Sequence, residues 1–439
     1  MRMNAHPTNR SGNAPLPASR PPSRRIFLKK GVSIAVGLSV PCFVPCGVLA
    51  GPGRPGANDR VHIGVIACGA RAEYLIKNMP PAGRVVAICD CDTPKMDGLL
   101  RRSGGPEWAT YQDFRNMIDR QKMDAVIVAT VDHARVLASI LACQAGMDVY
   151  AEKPLTLTIG EGQALIRAVR KYKRILQVGT QQRSMEPNHW AVEKIRRGAI
   201  GKVKTVLARQ YKSPFFYKSL PREPVPAGLD WDLWSGQAPM HPYNHQLQKK
   251  LKGWQGWPQW RDYSGGDVTL HGAHAADQIQ FTLGKDDTDP VEIWPVSTGR
   301  DALIRMRYED GTEIRFERDF GVHWGAVFVG EDGQKIEINR GTVKSNPKEL
   351  TRDAPPPSGG NANPHLQNWL DCIKTREDPI APVEAGHRAI NLCHFINICR
   401  ELGRKLRWDP RREEFLGDDE ANALIHRSRR KGYELPDLG

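Results

Sequence analysis

The sequence has no Cys-x-x-Cys pair and no compact, even-numbered set of cysteines. Of its nine cysteines, Cys42 and Cys46 lie in the first 50 residues. The other seven are scattered, largely in apolar surroundings, with only Cys89 and Cys91 two apart. That excludes a disulfide-stapled scaffold and a cysteine-ligated zinc site, and it reads these thiols as buried side chains. Acid is absent from residues 1–50, which carry Arg2, Arg10, Arg20, Arg24, Arg25, Lys29 and Lys30, so half of the formal charge of +14 sits in one tail. The remaining excess is spread along the chain without a basic face interleaved with aromatics, so no nucleic-acid partner is expected. No internal repeat occurs. An uninterrupted apolar run of the roughly 20 residues that span a bilayer is also missing, and no stable membrane span is expected.

What the tail does contain is Ser23-Arg24-Arg25-Ile26-Phe27-Leu28-Lys29, a twin-arginine export signal. An apolar stretch over 32–50 follows, broken by Pro41, Pro45 and Gly47 and ending in the small residues Val48-Leu49-Ala50. The expectation is a signal peptide over 1–50, a Gly/Pro-rich linker over 51–58 and a periplasmic protein. Twin-arginine export carries folded chains, commonly because a cofactor is acquired first in the cytoplasm.

At 439 residues the chain is too long for one ordinary core. Residues 61–66 form a short apolar strand that runs into Ala67-Cys68-Gly69-Ala70-Arg71-Ala72 and a helical stretch. A second strand over 84–89 ends at Asp90. Strand, glycine turn, helix, strand and acid are the parts of a dinucleotide site. The backbone approaches the pyrophosphate at the glycine, the helix amino end faces it, and the acid takes the ribose hydroxyls. Only Gly69 of the three customary glycines is present, with Ala67 and Ala72 at the other places. Further buried strands over 124–130, 147–151 and 175–180 alternate with helical stretches, which predicts a parallel sheet. Lys153, in Glu152-Lys153-Pro154, falls at its carboxyl edge, where open α/β folds bind ligands.

The second half reads differently. Residues 211–260 are rich in Pro and Trp and lack a period. They are expected to be ordered loops walling a pocket, or aromatic trim on a core. A helix begins near His271-Gly272-Ala273-His274 and runs to Leu283, and five apparent hairpin strands follow over 292–338. Two helices over 364–375 and 383–402 precede a polar end with little expected core. The fold class is therefore an α/β Rossmann domain over 59–182, followed by an α+β domain over 183–410 with a large, mostly antiparallel open sheet. A C-terminal extension occupies 411–439.

With these residues together, the chain resembles the Gfo/Idh/MocA oxidoreductases, the glucose-fructose oxidoreductase and inositol dehydrogenase group, and most of all their exported branch. The motifs that carry the resemblance include 65–72, Ala129-Thr130-Val131-Asp132-His133, Glu152-Lys153-Pro154, 178–184, 230–234, Gly265-Gly266, Gly272-Ala273-His274 and 403–410. The resemblance implies a nicotinamide cofactor held by Cys68, Gly69, Ala70, Arg71, Asp90, Thr130, His133, Glu152 and Lys153. It also implies a catalytic pair, Lys153 and His274, and substrate contacts from Gln181, Arg183 and Asp277. Hydride removal from a secondary alcohol needs a base and a cation for the developing alkoxide, and His274 and Lys153 suit those roles. NAD is expected over NADP, since Asp90 repels a 2′-phosphate and the next residue, Cys91, is not a cation.

Two departures stand out. Leu270 occupies the position of an acid that usually accompanies the histidine, and His271 follows it. His271, His274 and Asp277 fall at i, i+3 and i+6, but no further ligands accompany them, so no metal is expected. The expected function is an exported oxidoreductase acting on a hydroxyl of a sugar, glycoside or polyol, as a homo-oligomer. An NAD-dependent glycoside hydrolase with transient oxidation is the alternative, and a catalytically degenerate sugar-binding protein is a third.

Overall fold

The computed structural model describes Gly56 and residues 59–248 and 256–438. The export signal and the cleavage point over 1–50, and most of the linker, lie outside the described residues. In the first domain, β1 (Val61–Ile66), α1 (Ala70–Lys77), β2 (Gly83–Cys89), α2 (Thr93–Arg102), β3 (Ala109–Tyr111), α3 (Phe114–Arg120), β4 (Ala125–Val128), α4 (Arg135–Gln144), β5 (Asp148–Ala151), α5 (Ile159–Lys171) and β6 (Leu176–Val178) alternate along the chain. The six strands pair in parallel in the order β3-β2-β1-β4-β5-β6. The order reverses between β1 and β4, so a crevice opens there at the strands' carboxyl ends. β4 and β5 are buried at every position because helices cover both faces, which explains their unbroken apolar runs.

The second domain contains α6 (Glu186–Arg196), β7 (Val203–Arg209), α7 (Trp231–Ser235), α8 (His245–Gln248), α9 (Asp267–Leu270) and α10 (Gly272–Leu283). The strands β8 (Glu292–Pro295), β9 (Ile304–Arg307), β10 (Glu313–Glu317), β11 (Ala326–Gly330), β12 (Lys335–Asn339) and β13 (Thr342–Asn346) follow, then α11 (Asn363–Thr375), α12 (Val383–Leu402), β14 (Leu406–Asp409), β15 (Glu414–Phe415) and α13 (Asp419–Ala423). Nine strands form one sheet ordered β13-β12-β11-β7-β10-β9-β8-β14-β15. Only the β7–β10 pairing is parallel. β9, β10 and β11 alternate buried and half-buried residues, as strands packed on one face should.

Chain order and packing diverge in two places. α11 lies far along the sequence, yet its Leu366, Trp369 and Leu370 join Ile63, Leu75 and Ile88 in the first domain's core. Trp369 meets the Tyr150 ring edge-on at 5.6 Å. The C-terminal extension is less polar in effect than its composition suggests. Phe415, Ile425, Tyr433 and Leu438 are buried, and the segment runs along α5. There Gly160 N donates to the Ile425 carbonyl (2.9 Å), Arg429 pairs with Glu161 (2.6 Å), and Lys171 Nζ donates to the Leu438 carbonyl (3.0 Å).

Because Trp369 is fully buried in the first domain's core, Trp369→Ala should destabilise the protein by about 3–5 kcal/mol. Chemical denaturation followed by far-UV dichroism reads the shift, and a change below about 1 kcal/mol would contradict the shared core.

Candidate active site and cofactor cleft

The turn after β1 takes an unusual backbone shape. Ala67, at the first customary glycine place, sits at φ 82°. Side chains rarely adopt that region, at a cost of about 1–2 kcal/mol. Its N–H donates to the Cys89 carbonyl (2.7 Å), and Cys68 N donates to Asp90 Oδ2 (2.8 Å), so the turn is clamped to the end of β2. Gly69 caps α1, and a Cβ built there meets nothing within 4 Å, which leaves open space beside the helix's amino end. Asp90 is buried and also accepts from Asp92 N (2.9 Å). Burial raises its pKa, with Lys95 opposing the shift.

Ala67, Gly69, Cys89 and Asp90 wall a cleft of about 160 Å³ that also meets Thr130, Lys95, Gln112 and Trp234. The Thr130 hydroxyl is buried there with no hydrogen-bond partner. An orphaned hydroxyl, open space at Gly69 and unpaired first-turn amides fit a dinucleotide. Lys95, one turn past Cys91, is drawn to Asp92 (3.4 Å). His133 does not line the cleft. Its Nε2 meets the Trp234 carbonyl (2.8 Å), and its ring packs edge-on against Trp234 and Tyr263 (5.3 and 5.1 Å). Burial lowers its pKa to about 4, so it is neutral. The Cys68 thiol is buried and its pKa is raised, chiefly by desolvation.

At the end of β5, Glu152 is buried and accepts from Arg71 Nε (2.6 Å) and from Lys153 N (3.2 Å). Gly179 makes room for that carboxylate, since a Cβ there would stand 2.7 Å from Glu152 Oε1. The Gln181 amide, with its nitrogen towards the Gly179 carbonyl (2.8 Å), accepts from Arg71 Nη1 (3.0 Å). Lys153 Nζ reaches across to the second domain and donates to the Leu270 carbonyl (2.8 Å). Burial lowers its pKa to about 8, with Glu152 and Asp132 working the other way. One helical turn past Leu270, His274 is buried and its Nδ1 has no partner. Its pKa falls well below the usual value, first through burial and then through Lys153, Arg340, Arg71 and His271.

Arg183 and Asp277 are paired with each other. Arg183 Nε donates to Asp277 Oδ1 (2.8 Å), and its Nη2 and Nη1 to Asp286 Oδ1 and Oδ2 (2.7 and 2.8 Å). Burial raises the Asp277 carboxyl to about 6 despite Arg183. Two participants were not singled out from the sequence. Asp132, buried beside Lys153, accepts from Ser264 Oγ (2.8 Å), and it falls inside the quoted 129–133 stretch. The Leu270 carbonyl has no sequence signal, because every residue carries one. Among the described residues no group of three or more metal-ligating side chains converges.

Comparison with known proteins follows this division. Residues 61–180 match the oxidoreductase family's NAD-binding Rossmann fold, and residues 202–435 match the C-terminal alpha/beta domain of the same Gfo/Idh/MocA family. The chain belongs to this family. Its first domain is accordingly an NAD-binding Rossmann fold. Inositol 2-dehydrogenase from Rubrobacter xylanophilus is 29% identical over 153 residues, covering 33% of this chain and 42% of that protein. The NAD(+)-dependent scyllo-inositol 2-dehydrogenase from Bacillus subtilis is 27% identical over 167 residues, 37% and 45% of the two chains. The matched stretch therefore spans less than half the length of either relative. Among solved structures, the WlbA dehydrogenase from Chromobacterium violaceum, in complex with NADH and UDP-GlcNAcA, superposes with a TM-score of 0.61. It is 16% identical and covers 81% of this chain and 98% of its own, a likeness of fold.

Ala67→Gly should relieve the strained turn and stabilise the protein by about 1 kcal/mol, read as a raised denaturation midpoint. A loss of stability would show that the alanine methyl contributes packing worth more than the strain.

Proposed function

We propose that the protein is an NAD-dependent oxidoreductase that acts on a secondary hydroxyl of a polyol or sugar. The observation that carries this reading is the convergence of Lys153 and His274 on either side of Leu270, at the carboxyl edge of the parallel sheet. The family membership and the partial likeness to inositol dehydrogenases support it.

A bound nicotinamide would supply the hydride acceptor. The amino end of α1 from Gly69 to Arg71 would hold its pyrophosphate, Asp90 a ribose, and Thr130 a hydrogen bond at mid-length. The Lys153 ammonium, freed from the Leu270 carbonyl by a substrate oxygen, would steady negative charge on that oxygen. Neutral His274 has an unoccupied ring nitrogen to take the hydroxyl proton. No acid orients it, because Leu270 presents a buried aliphatic side chain where a carboxylate would stand. The Arg71–Glu152–Gln181 linkage fixes the backbone that carries Lys153.

The reading extends to export by the twin-arginine route with the cofactor already loaded, motivated by Arg24-Arg25 ahead of a dinucleotide fold. It also extends to self-association through the nine-stranded sheet, whose half-buried residues include Leu207, Val327, Val329 and Trp294. Light scattering that reads a monomer at all concentrations would refute the association.

Denaturing the purified protein should release a nucleotide with the mass and absorbance of NAD. Protein that holds none and has no affinity for added NAD would refute the reading. Lys153→Ala should lower kcat/KM on polyol substrates about 10²- to 10⁴-fold at saturating NAD. The lysine's folded pKa of about 8 lies below its ordinary 10.5, so the ammonium is present below pH 8 and lost above it. kcat/KM should therefore fall on the alkaline side, with a limb near pH 8. A flat profile from pH 7 to 9.5 would remove Lys153 from the chemistry.

A further inference from the structure

A second hollow shares no lining residue with the Lys153–His274 pair. It encloses about 530 Å³ between the start of α5, residues 213–218 and the later turns of α12. Leu157, Ile159, Ile398 and Leu424 supply apolar wall, and Phe215 and Phe216 stand 43% and 64% exposed. Among these line five cations, Lys218, Arg261, Arg300, Arg400 and Arg427, and a single carboxylate, Glu401.

That carboxylate is already engaged. Arg261 Nη2 donates to both of its oxygens (3.0 and 3.1 Å), and Arg261 Nε to Oε2 (3.1 Å). Arg400, 8% exposed, donates only to neutral groups: Nε to the Ala302 carbonyl, Nη1 to the Tyr211 carbonyl and to Ser213 Oγ (2.8–2.9 Å). Arg427 donates from Nη1 to the Arg261 carbonyl and makes no ion pair among the described residues. Arg300 lies over the Phe215 ring (3.8 Å), and its carboxylate neighbour Asp301 is 3.4 Å away. The other nearby acids, Glu161 and Asp262, are paired with Arg429 and His241 (2.6 and 2.9 Å). Asp301 acts on Arg400, and Glu161, Asp262 and Glu401 act on Arg427, but among the described residues none of them bonds to either guanidinium, so both retain donors that an arriving anion would satisfy. Burial holds Arg400 and Arg427 each down to about 10, the direction an arriving anion would reverse.

We propose that this cavity is a binding site for a small organic anion, a carboxylate or phosphate monoester on an apolar body. Arg427 and Arg300 take the charge, and Phe215 and Leu424 the body. Guanidinium groups match both oxyanions in planar geometry, and the aromatic and aliphatic wall excludes water from the pair. The site abuts the active site's supports from behind. Leu157 and Thr158 follow shortly after Lys153, and Gly265 precedes α9, which ends at the Leu270 acceptor. Occupancy would stiffen both ends of that link.

Calorimetric titration of the full chain, saturated with NAD, with phenyl phosphate, inorganic phosphate and benzyl alcohol tests the proposal. Phenyl phosphate should bind at least about tenfold more tightly than either half-probe. Arg427→Gln should weaken it about tenfold while leaving NAD affinity unchanged. Should Arg427→Gln not fold, Lys218→Ala at an exposed position should still weaken binding about threefold. Absence of binding, equal binding of benzyl alcohol, or undiminished binding in the folded variants would overturn the proposal. So would binding of phenyl phosphate only when NAD is omitted, which would place the probe in the cofactor cleft.

Discussion

A buried ammonium needs an acceptor, and Lys153 finds one in the carbonyl of Leu270, 117 residues away in the chain. That single hydrogen bond ties the carboxyl edge of the parallel sheet to the short helix that introduces His274. Several other features serve it. Glu152 accepts from the Lys153 backbone while gripping Arg71, and Gly179 is bare so that the carboxylate fits. Asp132, held by Ser264, lends negative potential from the side. The two domains meet through this polar strip rather than through apolar packing alone, and buried polar links of this kind fix geometry because an unpaired member is so unfavourable.

The electrostatics around His274 are dominated by positive groups. After burial, the largest influences on it are Lys153, Arg340, Arg71 and His271, all of which lower its pKa. A histidine in that field stays neutral across the physiological range, so it accepts a proton without first having to lose one. The same field makes it a weak base. A carboxylate at position 270 would have raised its basicity and fixed its ring. With Leu270 there, the proposed reaction would need that compensating attraction from negative charge on the substrate oxygen, which Lys153 would face once freed from the Leu270 carbonyl.

The local parts of this arrangement were legible in the sequence and the distant ones were not. β1, the turn, α1 and Asp90 announce themselves by apolar runs of strand length, one glycine and an acid at the right interval. α10 and α12 show equally plain boundaries, with Gly284 and Gly403 closing them in left-handed conformations. The short strands β3, β14 and β15 carry too few residues for alternation to register. The sequence points to Arg183 as a substrate contact from its place after β6, and to Asp277 only through the family resemblance, one helical turn past His274. That they face each other depends on a crossing of two elements that periodicity does not encode. The aperiodic stretch over 211–260 divides in space. Trp231, Trp234, Tyr243 and Trp260 form an aromatic core, joined by Tyr263 from beyond the stretch, against the cofactor cleft. Phe215 to Lys218 instead wall the second cavity. Composition alone cannot separate a core from a wall.

Ala67 and Leu270 are both departures from a pattern, but they differ in kind. At position 67 the backbone keeps the shape glycine would give, and the chain carries the strain because Cys89 and Asp90 hold the turn from the far side. The function of the position survives the change of residue. At position 270 the missing group is chemical rather than conformational, and no neighbouring carboxylate moves in to replace it. Asp267, one turn earlier, lies 3.5 Å from His271 and so faces the wrong histidine. The main chain of Leu270 holds Lys153, so the residue positions the ammonium while its aliphatic side chain offers His274 no carboxylate. Under the function proposed above, the burden of ionising a substrate hydroxyl would then fall on Lys153.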